Sequence, residues 1–170
     1  GIFITNYLIF NIYKNTKIDM HDFGGCIFLT SIEIPSTVKS IESYTFQNCF
    51  SLKRIEIPSS VTSIGNHAFY NCKSLITIKI PSSVTSIEDF TFFYCSSLKS
   101  IEIPSSVTSI GNNAFAYSSL ENVEIPSSVT FIGPYAFNQC SSLKSIVISS
   151  SLTSIESGVF EYCLQLKSIV

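Results

Sequence analysis

The sequence predicts an α/β-type repeat solenoid, a right-handed coil of stacked rungs. A parallel sheet lines its concave face, and short helical turns or short strands form the convex side. Three observations predict it. The proline that closes each first-strand segment falls at 35, 58, 81, 104 and 126, steps of 23, 23, 23 and 22 residues, and Ser149 takes the proline place 23 further on. Cysteine falls at 26, 49, 72, 95, 140 and 163, the same period with one copy lacking its thiol. Each of these five prolines follows an apolar-x-Ile alternation, as in Ile55-Glu56-Ile57, which has the period of a short half-buried strand. One such copy cannot bury its apolar face alone, whereas stacked copies can.

The elements follow in chain order. The opening stretch GIFITNYLIFNIYKN is apolar but lacks a basic start and a small-residue cleavage site, so it reads poorly as a secretion signal. Ile18, Phe23, Cys26 and Leu29 match Ile41, Phe46, Cys49 and Leu52 one period on. Residues 1–28 are therefore a degenerate repeat or cap, with Tyr7, Ile9, Phe10 and Ile12 as its apolar residues, and 29–170 are about six repeats of 22–23 residues, the last truncated. The whole of 1–170 reads as a single array without a linker. In each repeat the first strand supplies two inward residues, so Ile55, Ile57, Ile78, Ile80, Ile101 and Ile103 are expected to be buried. Proline cannot donate to a ladder and ends that strand. The V-T-S-I segment gives a second short extended run, and A-F-x-x-C suits one helical turn facing the core. One copy is short: Phe115 to Leu120 takes five steps where Phe69 to Leu75 takes six. That predicts an irregular turn at Ala116–Ser119 with the strand at Asn122–Ile125 still in register, since a slip reverses every side chain.

L-x-x-I-x-I at a period of 20–29 is the leucine-rich-repeat signature. The wording I-P-S-S-V-T-S-I-G-x-x-A-F-x-x-C, over residues 18–170, resembles the BspA-like branch of that class, found on surface proteins of bacteria and parasitic protists. The resemblance implies protein binding and adhesion to host matrix proteins, a cell-surface location, and no catalytic motif to carry over. The absence of an N-x-[ST] sequon and the unpaired cysteines lean instead towards the cytoplasm.

Composition removes several classes. A net charge of -2 with 13% charged residues and no basic run argues against nucleic acid as a partner. Apolar stretches are short and broken, so none spans a bilayer. No C-x-x-C occurs and the two histidines, His21 and His67, sit apart from the thiols, which argues against a metal site. The cysteine column reads as buried, reduced thiols packed as small hydrophobes, in-register side chains pointing the same way rather than at one another. No G-x-S-x-G and no glycine-rich phosphate loop are present, so the chain is read as non-enzymatic, with no cofactor. The exposed threonines at 62, 85, 108, 130 and 153 are the polar side of a half-buried strand.

Two sets of residues are candidates for protein contact. The outward column of the first strand reads Glu33, Glu56, Lys79, Glu102, Glu124 and Val147, with Arg54 interrupting a neighbouring small polar column. It is either a binding face or a charged surface that keeps the sheet soluble. The second set flanks the turn: Phe90, Phe93 and Tyr94 on one rung, with Tyr70 and Tyr117 on its neighbours. These form either an interface patch or a second small core. Two functions stand, a recognition module for another protein or a self-assembling structural module. The chain stops at Leu166–Val170, the start of a further strand, so it reads as part of a longer or processed chain. Left as it stands, that open edge predicts a homo-oligomer joined through the C-terminal end.

Overall fold

The computed structural model describes residues 15–170. The expected cap residues Tyr7, Ile9, Phe10 and Ile12 lie outside them. The chain forms a parallel-strand β-solenoid of about seven turns, carried by eleven short strands among the described residues. Every strand pairing is parallel and joins equivalent positions of successive rungs.

Two rows of strands run along the axis. The I-x-I segments give β2 (Ser31–Glu33), β4 (Arg54–Glu56), β8 (Asn122–Glu124), β10 (Ser145–Val147) and β11 (Ser168–Ile169). A single bridge, Lys79 to Glu102, marks two rungs between β4 and β8. The T-S-I segments give β1 (Lys17–Ile18), β3 (Ser40–Ile41), β5 (Ser63–Ile64), β6 (Ser86–Ile87), β7 (Ser109–Ile110) and β9 (Phe131–Ile132). Strands of two or three residues cannot stand alone. Continuity comes from the backbone bond that begins each first strand, Lys53 N–H to Thr30 and onward through Ile76, Lys99, Glu121, Lys144 and Lys167, each donating to the rung before.

The core is a set of stacked columns. Phe23, Phe46, Phe69, Phe92, Phe115 and Phe137 are each fully buried. Their rings stack in one file at 5.2–5.5 Å between centroids and 4–15° between planes. Ile18 and Phe23 belong to this core, so the described part of the opening copy, from residue 15 on, packs against the next rung. Of the six isoleucines expected inside, Ile55, Ile78, Ile80 and Ile103 are buried, while Ile57 and Ile101 are only partly covered.

The turn side departs from expectation. No helix occurs among the described residues, and A-F-x-x-C is not a helical turn. Its N–H groups alternate between two kinds of partner. Those of Tyr44, Phe46 and Asn48 donate up to Asn66, Ala68 and Tyr70 of the next rung, while those of Gln47 and Cys49 close local bonds to Tyr44 and Phe46. Two residues per rung, four apart, hold positive φ to allow this: Tyr44 and Asn48, His67 and Asn71, Phe90 and Tyr94, Asn113 and Tyr117, Tyr135 and Gln139. A left-handed L-residue costs about 1–2 kcal/mol. Three inter-rung bonds at about 1 kcal/mol each offset that. Spacing alone misleads here, because Phe three residues before Cys fits a chain of tight turns as well as a helix.

The short copy is also corrected in detail. Ser118 sits in the buried cysteine place, and the turn before it keeps its bonds from Ala116 to Asn113 and from Ser118 to Phe115. The missing residue falls just after, between Ser118 and Leu120. Elsewhere the leucine N–H donates to the cysteine carbonyl, as Leu75 does to Cys72; Leu120 makes no such bond. The strand stays in register as expected, Asn122 opposite Ser145 and Glu124 opposite Val147.

Candidate functional site

The polar residues of the repeat are mostly committed to holding rungs together. The second serine of P-S-S donates to the valine carbonyl of the rung before, from Ser60 to Val38 (2.7 Å), Ser106 to Val84 (2.7 Å) and Ser128 to Val107 (2.7 Å). These serines are therefore structural donors as well as turn residues, a role no local motif reveals.

The cysteines are equally committed. All six are free. Cys49, Cys72, Cys95, Cys140 and Cys163 each point Sγ at the phenylalanine carbonyl of the rung before, at 3.1–3.3 Å. Burial pushes the Cys49 and Cys95 thiols up to about 12, and Cys72 also well above its ordinary value. Such thiols stay protonated at neutral pH and are poor nucleophiles. Among the described residues no group of three His, Cys, Asp or Glu side chains could hold a metal ion, and no helix is long and apolar enough to cross a membrane.

The strand-face candidates lie where the alternation puts them. Arg54, Glu56, Lys79, Glu102 and Glu124 are all exposed. Glu33 stands opposite Glu56 in the β2–β4 pair, and Lys79 opposite Glu102. The described residues contain two ion pairs, Lys17–Asp19 and Lys144–Glu121, both at 2.7 Å and both exposed, and neither involves this column. Exposed pairs of this kind contribute about 0–1 kcal/mol at most. The column is a regular, exposed, mainly acidic surface.

The aromatic candidates do come together. Tyr70 stacks on Phe93 (5.1 Å, 9°), Phe93 meets Tyr117 edge-on (5.3 Å, 63°), and Tyr94 lies beside Tyr117 (5.3 Å). Tyr94 and Tyr117 are each 39% exposed. With Asn71 and Lys73 these four rings line a surface depression of about 420 Å³. The Lys73 ammonium hangs over the rings of Phe50 (5.3 Å) and Tyr94 (5.4 Å), a contact worth about 0.5–1 kcal/mol at an exposed site. Lys73, Asn71 and Phe50 were not anticipated from sequence. Position within the repeat was the available signal, since Lys73 directly follows Cys72 as Phe50 follows Cys49.

Phe90 belongs to a different file. It stacks on His67 (4.7 Å), which stacks on Tyr44 (4.6 Å), which stacks on His21 (5.1 Å). The file touches the depression through Phe90–Phe93 and His67–Tyr70, both at 5.5 Å. His67 Nδ1 is buried without a hydrogen-bond partner, and burial holds its imidazole below the usual value against the opposing pull of Asp89. Phe90 and His67 are half-buried and form a second aromatic file alongside the patch.

Parallel rungs of this period around a buried leucine column define a leucine-rich-repeat solenoid. The chain belongs to the BspA type leucine rich repeat region family, whose model matches six copies over residues 6–86 and 63–170. Among solved structures it is similar to the leucine-rich repeat protein of T. pallidum, with 34% identity and a TM-score of 0.80 over 82% of this chain and 68% of that one. A leucine-rich repeat protein from Bacteroides ovatus matches at 33% identity and a TM-score of 0.74, over 85% of this chain and 46% of that one. A leucine rich cell surface protein from Faecalibacterium prausnitzii matches at 30% identity and a TM-score of 0.65, over 91% of this chain and 58% of that one. The chain therefore spans about half the length of two of these three relatives. Comparison with curated proteins gave no match.

Proposed function

We propose that this chain is a non-enzymatic protein-recognition module with a surface role, and that its contact surface is the aromatic side of the turns. The observation that carries the reading is the cluster of Tyr70, Phe93, Tyr94 and Tyr117 around one surface depression. Aromatics are frequent hot spots, each worth about 2 kcal/mol or more when truncated at an interface centre. Phe90 flanks the cluster through its contact with Phe93. Arg54, Glu56, Lys79, Glu102 and Glu124 form a second exposed surface that contributes charge steering. The similarity to a leucine rich cell surface protein supports a location outside the cell, and host matrix proteins are the first partners to try. Self-association is the competing use of the same patch.

The test uses variants that the repeat itself licenses. Tyr94 and Tyr117 have positive φ, and Asn48 and Asn71 occupy the same place in earlier rungs. Tyr94→Asn/Tyr117→Asn therefore removes both rings while keeping a residue suited to that backbone. Immobilised wild type is exposed to matrix proteins and to its own soluble form, beside the double variant and a Glu56→Lys/Glu102→Lys variant. Loss of a captured protein in the tyrosine variant alone supports the reading. Capture unaffected by that variant, or lost only in the glutamate variant, contradicts it.

A further inference from the structure

The depression offers a ligand an unusual balance of groups. Among the described residues, the hydroxyls of Tyr70, Tyr94 and Tyr117 make no hydrogen bond, and Lys73 has no carboxylate partner. No acidic side chain lines the recess. The amide of Asn71 is turned to its own ladder, Nδ2 donating to Asn48 Oδ1 at 2.8 Å, and its Oδ1 is buried. The recess thus presents ring faces, phenol donors and one ammonium, with no strong exposed acceptor. A carbohydrate's hydroxyls could accept from these groups, but their own O–H donors would find no carboxylate or free amide oxygen in the lining. A run of prolines brings carbonyl acceptors, apolar ring faces and no N–H.

Dimensions agree. The lining rings come from three successive rungs, spaced about 4.8 Å apart, so the floor spans about 10 Å. A polyproline II strand rises about 3.1 Å per residue, which places about three residues on that floor. Aromatic-lined grooves take such strands because their low entropy in the free state leaves little ordering cost.

Resting on the reading of this side as the contact surface, we propose that the depression binds an extended, proline-rich segment of the partner protein, with an acidic residue of that segment beside Lys73. The test is fluorescence anisotropy with labelled octaproline carrying one terminal glutamate. The same peptide with a terminal lysine, a glycine–serine peptide with the glutamate, and maltoheptaose as competitor complete the set. Saturable binding of the acidic octaproline is expected, weakened about tenfold or more in Tyr94→Asn/Tyr117→Asn, with the circular dichroism spectrum unchanged. In Lys73→Glu, an exposed change that leaves the core intact, preference should reverse towards the lysine peptide. Absence of saturation, equal binding of the glycine–serine peptide, displacement by maltoheptaose, or indifference to the tyrosine variant overturns the proposal. If octaproline fails while the tyrosine variant still loses its captured protein, only the peptide class falls. If the variant also keeps that protein, the contact surface itself is wrong.

Discussion

Truncating one ring of the phenylalanine file measures how far each rung depends on its neighbours. Phe92 is fully buried, with Phe69 and Phe115 stacked on either side at 5.5 Å. Phe92→Ala removes a whole buried ring and leaves a cavity between rungs, a change that costs about 3–5 kcal/mol. Of this, the two ring contacts account for about 0.5–1.5 kcal/mol each. Phe160 occupies the same place in the last rung but is only partly buried, and its one ring neighbour, Phe137, is 6.0 Å away. Phe160→Ala should cost about 1–2 kcal/mol, from partial burial and a single contact. Urea unfolding followed by far-ultraviolet circular dichroism, with the slope of the transition compared between variants, gives both numbers. Equal costs at the two sites would refute the nearest-neighbour account, because the file would not be what stabilises the inner rungs.

Thiol labelling of the native protein should reach Cys26, the one partly exposed cysteine, and spare Cys49, Cys72, Cys95, Cys140 and Cys163 until urea unfolds the chain; mass spectrometry of the labelled peptides reads this directly. Because His67 is held below its ordinary value, the unfolded chain binds more protons than the native one just below pH 6.5. Stability should therefore fall as pH drops through that window, at no more than about 1.4 kcal/mol per pH unit. His67→Phe, which keeps the stack, should remove that slope when melting is compared between pH 7 and pH 5. Gly111→Ala should destabilise by about 1–3 kcal/mol in the same urea assay. The new Cβ would lie 2.6 Å from the Asp89 backbone nitrogen and 2.5 Å from Asp89 Oδ1. That carboxylate oxygen already accepts the Asn112 N–H at 2.7 Å.

The repeat made the stacking legible because identical side chains must meet at identical positions. Ile55, Cys72 and Phe92 could each be placed in the core from their period alone. The turn was misread because F-x-x-C constrains only which side chains point inward. The backbone chooses left-handed φ at residues such as Tyr94 and Gln139 to send alternate N–H groups to the next rung, and neither residue type advertises that choice. The second serine of P-S-S was hidden for a related reason, since its acceptor lies 21 or 22 residues away. The aromatic grouping was visible as an excess of Phe and Tyr around one rung. The recess was not, because Lys73 joins it only through its reach over Phe50 and Tyr94.

The account rests on the aromatic side being where another protein docks. Backbone amide shifts of the isotope-labelled protein, followed as the captured partner is added, test that residue by residue. The account predicts changes confined to Tyr70–Lys73, Phe93–Tyr94 and Tyr117, with Arg54, Glu56, Lys79, Glu102 and Glu124 nearly still. Changes centred on those five strand residues, or spread evenly along the solenoid, would contradict it.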